Sequence, residues 1–106
     1  MTVAELTERM HAFVASKGWY EPGSPHPQTP RNLAASLAIE SAEVLELFQW
    51  TESCEREALA EELADVMLYL LQLADLSGID LTRAVLDKLR VNADRAWDER
   101  QGNDDD

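Results

Sequence analysis

The spacing of the apolar residues constrains this chain more than any other feature. Leucine, valine and other apolar residues recur every three or four positions along most of the sequence, without a strand-like alternation of apolar and polar residues. That spacing gathers apolar side chains on one face of an α-helix, so it predicts an all-α protein. At 106 residues, 45% of them hydrophobic, the chain can bury one core but leaves apolar surface for a partner subunit to cover.

The first helix and the loop after it are bounded by capping residues, glycines and prolines. Thr2 and Glu5 have the spacing of a capping box, so we expect the first helix to begin there and to stop at Gly18. All four prolines fall within the next segment, residues 19–30, which therefore cannot be helical. A loop of this length in so small a domain is often functional.

Three further helices complete the predicted fold. We expect Thr29 to cap the second, which continues to about Trp50, and Ser53 to cap the third, which runs from about Cys54 to Leu76. Asp80 can cap the fourth, which ends near Arg100. The short turn between the two long helices predicts that they lie antiparallel to each other. The sequence therefore predicts one four-helix domain over residues 1–100, followed by a disordered acidic tail at residues 101–106.

The charge balance argues against several classes of partner. With 21 acidic residues against nine Lys and Arg, the formal net charge is −12. Nucleic acids and anionic membranes attract cationic surfaces, so we expect neither as a partner. The sequence contains no membrane-spanning apolar stretch and no signal-peptide pattern, and its single cysteine, Cys54, cannot form an internal disulfide. These features predict a cytoplasmic protein.

Four acidic residues stand on helix faces that should be buried. On a helical wheel, Glu40 falls within the apolar face of the second helix, and Glu43 and Trp50 share its flank. Glu62 falls within the apolar arc of the third helix, with Asp65 at its edge. Each acidic pair has the i, i+3 spacing that points two side chains the same way. Between antiparallel neighbouring helices, the two pairs can converge in one pocket.

Converging buried carboxylates require a positive charge among them, and no Lys or Arg lies on these two faces. A divalent metal ion would supply that charge, and ligation by oxygen alone favours Mg²⁺ or Mn²⁺ over zinc. Acidic residues at helical spacing more often form a solvated surface. The pattern alone thus leaves three interpretations open: a catalytic metal site, a structural metal site, and a non-catalytic acidic helical module that binds a basic protein.

Several short motifs resemble those of the MazG-like all-α nucleotide pyrophosphohydrolases. They are Pro30-Arg31-Asn32-Leu33, Glu40-Ser41-Ala42-Glu43, Glu46-Leu47-Phe48-Gln49-Trp50, Glu61-Glu62-Leu63-Ala64-Asp65-Val66, and the spaced set Lys88, Asn92 and Arg95. The likeness extends from about Trp19 to Trp97 and is strongest to the short, single-domain branch that includes dCTP pyrophosphatases. Combined in this order, the motifs are much more specific than paired glutamates alone.

The resemblance implies a fold, a reaction and a metal. The fold would be a four-helix bundle completed by dimerisation, as a homodimer or as a homotetramer of two dimers. The reaction would be hydrolysis of the α–β phosphoanhydride of a nucleoside triphosphate, dCTP or a related pyrimidine deoxynucleotide, to the monophosphate and pyrophosphate. Such a reaction removes surplus or damaged nucleotides. Glu40, Glu43, Glu62 and Asp65 match the family's Mg²⁺ ligands, with Mn²⁺ as an alternative metal.

The resemblance also assigns residues to substrate binding. Trp50 and Tyr69 match positions along the base and sugar, whereas Lys88, Asn92 and Arg95 match a polar stripe that meets the phosphates or the nucleotide. Those three residues share one face of the fourth helix, where Lys and Arg can bind phosphate oxygens. Cations near a helix carboxyl terminus also suit the helix dipole, so the stripe alone does not require a ligand.

Three more residues complete the predicted site. Trp19, beside the proline-rich loop, either covers the base or anchors the loop. His26 lies in a segment that resembles the family's substrate-facing loop and is a candidate contact to the base or a phosphate. Either Glu43 or Glu46 is the candidate that orients the attacking water, beside the carboxylates that hold the metal.

Overall fold

Four α-helices form the computed structural model of this protein, which describes residues 1–99, with side chains through Arg95. Their bounds are Val3–Ser16 (α1), Pro30–Glu46 (α2), Arg56–Leu76 (α3) and Leu81–Glu99 (α4). Residues 1–99 contain no β-strand, so the predicted all-α fold is confirmed. None of the helices in this part of the chain is both long and apolar enough to cross a bilayer. The predicted tail, residues 101–106, lies outside the described residues.

Three of the four helices, α1, α2 and α4, begin where the capping residues predict. Thr2 and Glu5 form a capping box, in which the Glu5 amide donates to Thr2 Oγ1 at 3.1 Å and the Thr2 amide donates to Glu5 Oε1 at 2.7 Å. Thr29 caps α2 by accepting from a backbone amide at 3.2 Å, and Asp80 caps α4 in the same way at 3.1 Å. These side chains satisfy amides that the first helical turn leaves unpaired.

The connection between α2 and α3 is longer than predicted. α2 ends at Glu46 instead of near Trp50, because the amides of residues 47–49 donate to carbonyls three residues back and tighten the chain into turns. α3 begins at Arg56, and Ser53 does not cap it. Trp50 therefore lies in the connection and not on the carboxylate flank of α2, where the helical wheel had placed it.

α2 and α3 form the main helical hairpin, and α1 packs against α3. Glu40 lies beside Glu62 and Asp65, whereas Gln28, just before α2, contacts Gln72 near the end of α3. Residue numbers therefore increase in opposite directions along the two helices. This confirms the predicted antiparallel arrangement, which brings the acidic faces of α2 and α3 together.

The buried core is small and lies between α1, α2 and α3. Its fully buried apolar side chains are Met10, Val14, Leu33, Leu71 and Ala74. α4 makes few contacts, mainly with α3. Its apolar side chains Val85, Leu86 and Leu89 consequently remain about half-exposed. The described part of one chain thus leaves an apolar stripe on α4 without a covering surface.

Candidate active site

Three carboxylates converge between α2 and α3. One oxygen atom from each of Glu40, Glu62 and Asp65 lies within 4.8 Å of the other two. Oxygen atoms that share a divalent ion have a similar spacing, because metal–oxygen distances are about 2.0–2.6 Å. The structure therefore brings three of the four predicted ligands together. Glu43 lies outside this triad but close enough for its charge to act on both Glu40 and Glu62.

The electrostatics of this cluster are unfavourable without a cation. Burial raises the pKa of Glu40 above its ordinary value near 4.5, and the charges of Glu43, Asp65 and Glu62 raise it further. Burial likewise raises the pKa of Glu62, with the charge of Glu43 as the next cause. The Oε1 atoms of Glu40 and Glu62 are buried and have no hydrogen-bond partner among the described residues. Such atoms need a proton or a cation.

A divalent metal ion fits this set of donors. The donors are all carboxylate oxygens, which hard cations such as Mg²⁺ and Mn²⁺ prefer. Within residues 1–95, the ion pairs formed by Lys and Arg lie on α4, between Asp87 and its neighbours Arg83 and Arg90. No protein cation in this part of the chain therefore neutralises the cluster.

A cavity of about 670 Å³ adjoins the carboxylates, and Asp65 belongs to both. Its walls come from α1, the proline-rich loop, α2 and α3, and they include the predicted residues Trp19, His26 and Tyr69. The Trp19 ring meets those of Phe13 and His26 edge-on, with centroids 5.9 Å apart in each case. The cavity can thus hold a flat ring against aromatic walls, with an anionic group near a cation held by the carboxylates.

Other predicted substrate residues lie elsewhere on the described chain. Trp50, which is 87% exposed, and the α4 residues Lys88, Asn92 and Arg95 do not line the cavity. On α4, Arg95 Nη1 donates to Asn92 Oδ1 at 3.4 Å. Glu46 is exposed at the end of α2. The roles of these five residues remain predictions.

The structure adds cavity residues that the sequence analysis did not identify. Arg9 supplies a cationic side chain, and Gln28 and Gln72 supply carboxamides. Gln72 is 2% exposed and interrupts the most apolar segment of α3, residues 66–74. A polar residue within such a segment is a signal that sequence reasoning can use, because buried polar groups need partners. Arg9 and Gln28 carry no comparable signal.

The helical hairpin thus holds a carboxylate cluster beside an aromatic cavity. The sequence profile of the MazG-like family matches residues 35–105 of this chain. The chain belongs to the MazG-like family.

Several known relatives resemble the chain over most of its length. Rat and human dCTP pyrophosphatase 1 are each 40% identical to it over 102 aligned positions, which cover 86% of this chain and 57% of either relative. The chain thus spans little more than half the length of these mammalian relatives. The dATP/dGTP diphosphohydrolase of cyanophage S-2L is 33% identical over 96 positions, covering 91% of this chain and 78% of the phage protein.

The fold also resembles a solved structure. A pyrophosphatase from Archaeoglobus fulgidus superposes on this chain with a TM-score of 0.75 and is 38% identical in sequence. The match covers 87% of this chain and 89% of the archaeal one. The likeness thus extends to the sequence as well as to the fold, over most of both chains.

Proposed function

We propose that this protein is a Mg²⁺-dependent nucleoside triphosphate pyrophosphohydrolase. It hydrolyses the α–β phosphoanhydride of dCTP, or of a related pyrimidine deoxynucleotide, to the monophosphate and pyrophosphate. The names of the mammalian and phage relatives support the reaction class. A role in clearing surplus or damaged nucleotides in the cytoplasm belongs to the same proposal.

One observation carries this proposal. The two unpartnered buried oxygens belong to Glu40 and Glu62, and the third carboxylate of the cluster, Asp65, also lines the aromatic cavity. A charge cluster that requires a cation thus adjoins a space suited to a base. A binding surface for a basic protein would need neither the burial of these atoms nor the cavity.

Some side chains of the site would bind the substrate, and another would orient the attacking water. A bound divalent ion supplies charge neutralisation and polarisation of the phosphate groups, which a chain this acidic cannot provide by itself. Trp19 and Tyr69 would contact the base, and Arg9 can bind a phosphate oxygen. Glu43 lies against the cluster whereas Glu46 is exposed, so Glu43 is the better placed to accept a proton from water.

The reaction type is tested by incubating the protein with dCTP and Mg²⁺ and separating the products by anion-exchange chromatography. We expect dCMP and pyrophosphate, and no products when EDTA is present. A panel of dCTP, dTTP, dUTP, dATP, dGTP and the ribonucleotides identifies the preferred base and sugar. Release of orthophosphate with dCDP would contradict the proposed bond cleavage, and failure to hydrolyse any nucleotide would contradict the enzymatic function.

We also propose that the protein assembles as a homodimer or as a dimer of dimers. The apolar stripe on α4 and the exposed Leu45 and Trp50 present surface that a second copy would cover. In that assembly, a partner's Trp50 and α4 can complete the cavity of the first copy. This arrangement would give a substrate contact to the predicted residues that stand away from the cavity of their own chain.

Replacing Leu89 with aspartate is expected to dissociate the assembly. A buried leucine contributes about 1.5–3 kcal/mol, and a two-fold interface loses this contribution twice, so the dissociation constant should rise about 10²- to 10⁴-fold. Sedimentation velocity at micromolar concentration measures the mass. Thr82→Asp adds the same charge at an exposed position in the first turn of α4 and should preserve the assembly. A wild-type protein that sediments as a monomer would contradict this proposal.

A further inference from the structure

A continuous chain of hydrogen bonds links α1, the proline-rich loop and α3 at the wall of the cavity. Gln72 Nε2 donates to Gln28 Oε1 at 2.8 Å and to Tyr20 Oη at 3.1 Å. Tyr20 Oη lies 2.6 Å from His11 Nδ1, and His11 Nε2 lies 2.8 Å from a carboxylate oxygen of Asp75. The amide nitrogen of Gln72, a residue that is almost fully buried, is thus held by residues up to 52 positions away.

The Gln28 end of this chain fixes which atom of the Gln72 carboxamide donates. At one end, Gln28 Nε2 donates to the backbone carbonyl of His26 at 2.6 Å. At the other end stands the Asp75 carboxylate, and both end groups can only accept. Because Gln28 Oε1 can only accept, the Gln72 atom that faces it must be the amide nitrogen, which also donates to Tyr20 Oη. With a neutral imidazole, the phenol and the imidazole each accept from one side and donate to the other.

Both N–H bonds of Gln72 are consequently in use. Burial raises the pKa of Tyr20, and the charge of Asp75 raises it as well, so the phenol keeps the proton that it donates. Among the described residues, the remaining polar atom of Gln72, Oε1, accepts no hydrogen bond. Since Gln72 lines the cavity, Oε1 is the atom of this carboxamide left for a ligand.

We propose that Gln72 determines base specificity by accepting, at Oε1, a hydrogen bond from an amino group of the nucleotide base. Tyr20, His11 and Asp75 are positioning residues that keep the carboxamide in this orientation. A carbonyl oxygen at the same place would face a second acceptor, and the carboxamide cannot turn without losing its bonds to Tyr20 and Gln28. The cavity should therefore favour an amino-bearing base over its carbonyl counterpart. This inference rests on the proposed nucleotide hydrolysis.

The test compares dCTP with dUTP, in which a carbonyl replaces the exocyclic amino group. We expect wild-type kcat/KM to be higher for dCTP. Gln72→Met keeps the side-chain length but removes the acceptor, so the dCTP/dUTP ratio of kcat/KM should fall about tenfold. Tyr20→Phe releases the carboxamide from its fixed orientation and should lower the same ratio several-fold, although Tyr20 itself does not line the cavity.

The dCTP/dUTP ratio of kcat/KM separates specificity from stability, because partial unfolding lowers the measured kcat/KM for both substrates by the same factor. Leu71→Val alters the buried neighbour of Gln72 and should lower the melting temperature while leaving the ratio unchanged. An unchanged ratio in Gln72→Met, or a wild-type protein without a preference for dCTP, would overturn the inference while the hydrolase remains established.

If no nucleotide is hydrolysed, the proposed function fails. Isothermal titration calorimetry with dCMP and dUMP then measures the base preference without turnover. A preference for dCMP that Gln72→Met removes would support the inference. Equal binding of the two monophosphates would overturn it.

Discussion

Replacing Glu62 with glutamine is expected to lower kcat/KM by about 10³-fold, because a lost metal ligand removes several kcal/mol of transition-state stabilisation. The same change should raise the melting temperature of the metal-free protein. Glu62 Oε1 is buried without a partner among the described residues, and burial and neighbouring carboxylates raise the pKa of this group. An amide has the same shape without the charge. The substitution should therefore stabilise the metal-free fold and lower the activity of the metal-loaded enzyme.

Two measurements check this opposite effect on activity and stability. Pyrophosphate release with Mg²⁺ gives the activity, and thermal unfolding in EDTA gives the stability. Glu61→Gln is the matched control, because it removes an equal charge from the adjacent, exposed position of α3. It should retain most of the activity. A Glu62→Gln protein as active as the wild type would remove Glu62 from the catalytic cluster. A lower melting temperature for Glu62→Gln than for the wild type in EDTA would show that other groups of the protein already stabilise the Glu62 carboxylate.

The metal-free protein is expected to lose stability as the pH rises from mildly acidic to neutral values. The pKa values of Glu40 and Glu62 are raised in the folded state above their ordinary value near 4.5. Between the unfolded and folded pKa values, the folded state binds more protons, so the free energy of unfolding decreases with rising pH. The favourable contribution is complete below pH 4.5 and disappears as the pH passes through the raised values.

Adding Mg²⁺ should reverse this loss at neutral pH. A ligand at about 100 times its dissociation constant stabilises the folded state by about 2.7 kcal/mol, or roughly 12 °C in melting temperature for a domain of this size. Melting curves between pH 5 and 8, with EDTA and with Mg²⁺, measure both effects. In EDTA, Glu62→Gln should flatten the decline relative to Glu61→Gln. A metal-free protein whose stability rises over this range would contradict the raised pKa values.

Much of the fold was predictable because its signals are local. The capping box at Thr2 and the caps at Thr29 and Asp80 act within three residues of themselves, and helical spacing fixes which side chains share a face. The end of α2 was not predictable in the same way. Residues 47–49 have acceptable helical propensities, but the chain must reverse there to pack α3 against α2.

Part of the candidate site was likewise predictable from local signals, and part was not. The acidic pairs were recognisable because Glu40 and Glu62 stand on apolar faces, where an unpaired charge demands an explanation. The selection of Asp65 for the triad, with Glu43 beside it, depends on how the two helices are rotated about their axes. That rotation is set by side-chain packing over the whole hairpin, which no spacing rule within one helix contains.

Local sequence signals were enough to predict the all-α class, the starts of α1, α2 and α4, and the pairs of carboxylates, since these depend on neighbours three or four residues apart. The packing of the helices, by contrast, makes Asp65 part of both the carboxylate cluster and the cavity, and it brings Arg9 and Gln72 to the cavity wall. Only the tertiary structure also revealed the chain of hydrogen bonds between Gln72, Tyr20 and Asp75, whose members come from α1, the loop and α3. Hydrogen bonds between distant segments depend on how whole helices pack, and no regular spacing of residues along the sequence predicts that packing.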